Sequence, residues 1–577
     1  MASATPSRTV RAQLPLALLC FAVLPKLIGL RLPVDDPFHL GEAFAAAITL
    51  IANPSGGSRP LTLHGAWDFI PALVSRALWG DANYFYPTIY LTDSLLPALS
   101  ALLFLLFLCR ILKDRNGPAV TMFLCMAALA APSLVGIRDL FLLISCWSLV
   151  ELLDADSKRV AIQALSVLVP ATAIGLLWSL DRGLVGAATV MTALLAAAGL
   201  RRRPLFIHAA LLILAACGAA IWIGEWSGSI SYATNLGFVI RTSSQWRYPW
   251  SPGLAGNVAL AVSFTACTLL ATGSGRSGWR EPGFTPVWMG LAVCSLLMVR
   301  MGTNRADLIH ILPAMWPALV LSAVATKRGP APTGQGRGLL MMIAVLIDVA
   351  VVFFAVSAVR SWTPLLIVGA TCLLWAACLL PERADPLEAA NRATDGEATA
   401  SVNPTPHQQP AIAYGLVLVL FVLTALSSGQ DWLATLQGLG RGSLVTPLQF
   451  VQQGVPYARI ADAGQAWAAQ QIRDSGSACI LDMSNSGIIN AGADKPVCTR
   501  FAYPVYASQQ DQSALIRDLK ATAPTAIVYS TTAWQYAIDG QAMTQRLPRV
   551  DRFLKRQYPQ ETCHQGLCIR QSRSLQR

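Results

Sequence analysis

Runs that mix carboxylates with imidazole or guanidinium groups recur at the ends of apolar stretches. The first reads Asp35-Asp36-Pro37-Phe38-His39-Leu40-Gly41-Glu42, and His64-Gly65-Ala66-Trp67-Asp68 follows. Later ones are Arg138-Asp139, Asp181-Arg182-Gly183, and the span from Arg300 through Arg305 and Asp307 to His310. Glu225, Arg241, Arg247 and Arg360 stand singly in similar places. Three of the six histidines, His39, His64 and His310, lie within four residues of an aspartate. Carboxylates can take a proton from a hydroxyl, and guanidinium groups suit phosphate through a bidentate fork. A set of mixed O and N ligands (His39, Glu42, His64, Asp68, Asp307, His310) could also hold a divalent metal such as Zn or Mn. The same groups could equally form hydrogen bonds to sugar hydroxyls. No tight HExxH-type metal motif, Walker A loop, dinucleotide fingerprint or GxSxG elbow is found.

These groups must be placed by apolar elements. Of 577 residues, 54% are apolar and only 13% charged, against about 25% charged in ordinary soluble chains. Mean hydropathy is +0.50. Disorder, coiled coil and collagen are excluded, leaving a polytopic membrane protein. The net charge of +12 is scattered among apolar runs without an aromatic-lined basic stripe. That excludes nucleic acid and points to anionic lipid and phosphate.

A span needs roughly 20 apolar residues. About thirteen segments meet the pattern, at 14–30, 88–112, 118–135, 140–153, 160–180, 183–200, 204–223, 253–272, 285–300, 308–325, 338–358, 363–380 and 411–428. The first lacks a small-residue cleavage site, so it reads as a span and not a signal peptide. Arg8 and Arg11 precede it and set the N-terminus inside. Alternation then puts Lys113/Arg115, Lys158/Arg159, Arg201–Arg203, Arg276/Arg280 and Lys327/Arg328 inside too. The acid–imidazole–guanidinium runs fall on the opposite side. Charges at membrane depth are costly and mark cavities or partners, so one outer cleft lined by them is expected.

The domain division follows: 1–428 is a transmembrane domain with a first outer loop at 31–87 and a cytoplasmic linker at 381–410. The region 429–577, with 15 basic and 10 acidic residues, reads as a small extracytoplasmic α/β domain. Its strands fit Ala478–Met483 and Ala526–Ser530, and its helices fit Gln465–Asp474 and Gln512–Thr522. Nine of the 13 cysteines lie in apolar runs; Cys479, Cys498, Cys563 and Cys568 lie in this domain and permit two disulfides outside the cytosol. The loop Ser484-Asn485-Ser486-Gly487 could be a ligand loop or an ordinary turn. Tyr503, Tyr506, Trp534 and Tyr536 could stack on sugar or pack a core.

An acidic pair in the first outer loop, surface helices beside it, many spans and an outer C-terminal domain together resemble the GT-C superfamily of polytopic glycosyltransferases. The resemblance implies a mainly α, GT-C-like fold and a polyprenyl-phosphate sugar donor. It implies a general base at Asp36 or Asp35, with Asp36 favoured, and surface helices at Phe38–Ile51 and Gly65–Leu78. By chemistry, Arg300 and Arg305 would meet the donor phosphate, and His39, Glu42, His64, Asp68, Asp181, Arg182, Asp307 and His310 would line the substrate site. A WWD-type acceptor motif is not found in the C-terminal domain, so the expected reaction is single-sugar transfer onto a cell-envelope glycan or lipid. The expected location is a bacterial inner membrane, with the C-terminal domain outside. The alternative is a transporter or flippase of an envelope lipid or saccharide, for which Asp348 in the eleventh segment is the pointer.

Overall fold

In the computed structural model the described residues are 8–52, 64–113, 118–201, 203–227, 232–242, 252–273, 284–303, 307–326, 431–530, 536–537 and 541–572. Arg247, Arg305, Asp348, Arg360, Trp534, the linker at 381–410 and the last three expected segments lie outside them. The other ten segments coincide with helices. Five of these are long and apolar enough to cross a membrane: Phe85–Ile111, Lys158–Trp178, Leu180–Arg201, Pro204–Glu225 and Thr285–Gly302.

Residues 118–135 and 140–153 form a helix pair, Val120–Leu134 and Ile137–Leu153, bent by 104°. The break has a local cause. The helix stops just before Gly136, and the Gly136 N–H donates to Asp139 Oδ2 at 3.0 Å, so Asp139 starts the next helix. This bend holds Arg138 and Asp139 at a helix end.

Two short helices lie in the first loop, α1 (His39–Ala52) and α2 (Ile70–Trp79). They overlap the stretches expected to be surface helices, 38–51 and 65–78, but α1 is enclosed, with Gly41 through Thr49 all buried. Strand β1 (Leu30–Arg31), ahead of them, pairs antiparallel with β2 (Leu444–Val445). The start of the first loop is thereby stitched to the start of the C-terminal region.

Beyond β2 the chain forms α3 (Pro447–Gln453) and a four-stranded sheet. In chain order its strands are β3 (Leu481–Asp482), β4 (Ala526–Ser530), β5 (Gln560–His564) and β6 (Leu567–Gln571), arranged β3-β4-β6-β5. β3 and β4 are parallel; the other neighbours are antiparallel. Helices Ala463–Asp474 and Gln512–Thr522 flank it. All four cysteines of the domain are paired, Cys479 with Cys498 and Cys563 with Cys568.

The seam near residue 429 is a division of sequence more than of packing. The buried core containing Leu481, Tyr503, Tyr506 and Leu515 also takes in Phe38 and Ala45 of the first loop. The loop Ser484–Gly487 is an internal turn. Asp482 accepts from the Ser484 and Ser486 N–H groups, both at 2.8 Å, and Asn485 Oδ1 accepts from the Val505 N–H at 3.1 Å. Its surface abuts α1 so closely that a Cβ on Gly41 would lie 2.1 Å from the Ser486 carbonyl oxygen.

Candidate active site

Asp36 sits just ahead of α1. Its Oδ1 accepts the His39 N–H at 3.0 Å, and its Oδ2 lies 2.7 Å from His39 Nδ1. The carboxylate therefore caps the helix and grips an imidazole at once. Both side chains stay open, at 42% for Asp36 and 53% for His39. Partial burial opposes ionisation of Asp36, but the His39 hydrogen bond and charge outweigh it and hold its pKa below the usual value. Asp35 is ion-paired with Arg31.

One turn along α1, Glu42 faces inward. His64 Nδ1 lies 3.5 Å from Glu42 Oε1 and 3.2 Å from Asp68 Oδ1, and the His64 N–H donates to Asp68 Oδ2 at 3.1 Å. From the C-terminal domain, the Tyr506 hydroxyl donates to Glu42 Oε1 at 2.5 Å. Burial alone would pull the His64 pKa down; the Glu42 and Asp68 carboxylates more than reverse this and lift it to about 9. Burial and the neighbouring Glu42 push Asp68 up. Glu42 is driven up by burial but more strongly down by His64, and ends lowered.

The ligand atoms of Glu42, His64 and Asp68 all lie within 4.8 Å of one another. Ligand atoms about 2.1 Å from a tetrahedral divalent ion sit about 3.4 Å apart, so these three residues fit such an ion. A metal on Nδ1 and a proton on Nδ1 exclude each other, since metal binding needs neutral imidazole.

Next to this cluster the runs Arg138-Asp139 and Asp181-Arg182 pair crosswise. Arg138 is ion-paired with Asp181, and Arg182 Nε lies 3.3 Å from Asp139 Oδ1. Each aspartate lies at the start of a helix, where the dipole favours negative charge. Ser179 Oγ donates to Asp181 at 2.7 Å, and Trp316 Nε1 lies 3.4 Å from Asp139 Oδ1. The His64 carbonyl accepts the Leu180 N–H at 2.6 Å. Gly65, at φ 123°, presses against this junction, where a Cβ would lie 2.7 Å from the Leu177 and Trp178 carbonyl oxygens. The positive φ and the close approach both require glycine.

Asp307 and His310 cap the helix Leu308–Thr326. The His310 N–H donates to Asp307 Oδ1 at 2.9 Å, and Nδ1 lies 2.5 Å from the same oxygen. Among the described residues no direct hydrogen bond or ion pair joins them to Glu42, His64 or Asp68. Arg300 is exposed near the end of the helix Phe284–Gly302. Thus Glu42, His64, Asp68, Asp139, Asp181 and Arg182 converge, and Asp307 and His310 pair with each other. Sequence reasoning missed the role of Tyr506 as partner to Glu42; a contact 464 residues apart has no local signal.

No family model and no curated relative matches the chain. Solved structures of similar outline include ArnT from Cupriavidus metallidurans, bound to undecaprenyl phosphate. It is 13% identical over 97% of each chain, with a TM-score of 0.46. The same protein in the apo state is 13% identical over 97% of this chain and 98% of that one, at 0.47. The Archaeoglobus fulgidus oligosaccharyltransferase, in complex with Zn and sulfate, is 11% identical over 96% of this chain and 71% of that one, at 0.35. At such values the likeness is one of outline and says nothing of chemistry.

Proposed function

We propose that this chain is a multi-pass membrane glycosyltransferase of GT-C type. It moves one sugar from a polyprenyl-phosphate donor to an envelope glycan or lipid at the outer face of a bacterial inner membrane. The observation that carries the reading is the Asp36–His39 pair. It is an ionised, accessible carboxylate, oriented by an imidazole, next to an enclosed acid–histidine cluster. A general base must be both charged and reachable. Glu42 and Asp68 are enclosed partners of His64, and Asp35 is paired with Arg31.

In this reading the acceptor hydroxyl loses its proton to Asp36 as its oxygen attacks the anomeric carbon. The bond to the donor phosphate breaks, and the phosphate leaves with the electron pair. Arg138 and Arg182 are each ion-paired with a carboxylate, and by the chemistry of guanidinium and phosphate Arg300 and Arg305 meet the donor phosphate. Asp181 and Arg182 then position the wall of the site, and Glu42, His64 and Asp68 its floor. The test is transfer from labelled polyprenyl-phosphate sugars to a panel of envelope acceptors by purified protein. Asp36→Asn is expected to abolish transfer while the protein stays folded. Full activity in both Asp36→Asn and Asp35→Asn removes the first-loop pair as the base.

A further inference from the structure

Two short helices, α2 and α3, carry large apolar side chains that stay exposed among the described residues. On α2 these are Val74, Leu78 and Trp79; on α3 they are Leu448 and Val451, at 66% and 74% exposure. The helices are held side by side. Trp79 packs edge-on against Phe450 with ring centroids 6.3 Å apart, and Tyr86 stacks on Phe450 at 4.9 Å. The Tyr86 hydroxyl donates to the Val445 carbonyl at 2.8 Å, just ahead of α3. Thr446 and Gln449 form a capping box that starts α3 and leaves Leu448 and Val451 on one outward face.

The exposed apolar surface continues from there. The helix at 431–440 shows Leu433, Leu436 and Leu439 at three-residue spacing. It runs along the first helix of the chain, Arg8–Ile28, where Trp432 stacks on Phe21 at 5.0 Å and Thr435 Oγ1 donates to the Pro25 carbonyl. That helix exposes Leu14, Leu16, Phe21 and Leu24. Exposed apolar side chains thus run from the apolar helix Arg8–Ile28, along 431–440, to the paired helices α2 and α3. Exposed patches of this kind mark interaction surfaces, and an amphipathic helix at a membrane surface buries its apolar face at the headgroup boundary.

We propose that α3, beside the first-loop surface helix that the GT-C resemblance already implies at α2, forms a further seat inserted at the headgroup boundary of the bilayer. The C-terminal domain is then fixed to lipid by its own side chains as well as through the chain that leads into it. The occupant is lipid, because this run of exposed side chains is continuous with the flanks of apolar helices. The inference rests on the chain spanning a membrane and is independent of the reaction assigned to the site. The seat also sets the height of Glu42 and His64 above the headgroups, since β1 and β2 lock the first loop to the residues just before α3.

The test is photo-crosslinking of the full chain in nanodiscs of labelled phosphatidylethanolamine and phosphatidylglycerol. The photoreactive residue p-benzoylphenylalanine replaces Leu448, Val451, Leu436 or Lys555 in turn. Lys555 is an exposed position on the far helix Pro548–Gln557. Lipid adducts at 448 and 451 should exceed those at 555 at least tenfold and approach those at 436. Adducts at 448 and 451 no greater than at 555, or adducts to peptide from a second copy, overturn the seat. If 436 also fails to take lipid, the membrane reading falls with it.

Discussion

The first loop contains two acid–histidine assemblies built from the same chemical parts, and burial gives them opposite characters. Asp36 and His39 are half open, and their carboxylate is easily ionised. Glu42, His64 and Asp68 are enclosed, and there the histidine takes the charge, with its pKa near 9. In water an imidazole and a carboxylate share little; in a low-dielectric enclosure each fixes the other's protonation. The open pair is suited to moving a proton, and the closed cluster to holding structure or a metal.

The first way to break this comparison is Asp36→Asn. Loss of a general base should lower transfer by about 100- to 10,000-fold with little change in the unfolding midpoint. Initial rates with a saturating labelled donor check this. The closed cluster should respond the other way. His64→Ala leaves two buried carboxylates facing each other, a loss of about 3–5 kcal/mol. Thermal unfolding in detergent should show it, and a variant that melts like the parent would sink the structural assignment.

Two smaller effects sharpen the contrast. Tyr506→Phe removes a hydrogen bond to a charged, buried oxygen, which is worth about 1.5–3 kcal/mol. The cost should appear as earlier unfolding of the C-terminal domain, seen by faster hydrogen exchange near Tyr503 and Tyr506. For pH the sign follows from His64. Its folded pKa is raised from 6.5 to about 9. The stabilisation is therefore complete below about pH 6.5 and is lost as pH rises through 9. Melting between pH 6 and 10 should show this alkaline loss in the parent and not in His64→Ala. If a divalent ion occupies the cluster, His64 is already neutral. A chelator should then lower the melting point and introduce the alkaline loss.

Much of the fold could be read in the sequence because its signals are local. The helix Gln512–Thr522 and the strand Ala526–Ser530 fall where propensity and pattern place them. The helix expected from Gln465 begins at Ala463, because Asp462 and Gln465 form a capping box. The strand expected over Ala478–Met483 pairs with β4 only at Leu481–Asp482, since Ile480 is taken by a bridge to Val497. The β5–β6 hairpin was not foreseen. Its turn residues, Gln565 and Gly566, both have positive φ, but Gln-Gly lacks the Asn-Gly signature of such turns. Of the site, the acid–histidine runs were legible as candidates. Which would close together was not, because the crosswise pairing of Arg138 with Asp181 and Arg182 with Asp139 depends on how two helices meet.

The smallest expected effect is also the most discriminating. Asp307–His310 resembles Asp36–His39, with backbone bonds of 2.9 and 3.0 Å and Nδ1 contacts of 2.5 and 2.7 Å, except that Asp307 uses one oxygen for both contacts and Asp36 uses two. Both aspartates cap a helix. Asn caps a helix about as well as Asp does, so Asp307→Asn should change stability by no more than about 0.5 kcal/mol. Transfer should then stay within about threefold of the parent. The same substitution at Asp36 keeps the cap equally well, so any extra loss there belongs to proton transfer and not to a weakened helix start. Should Asp307→Asn lose activity as deeply as Asp36→Asn, the two pairs work as one site, and the base cannot be assigned to the first loop alone.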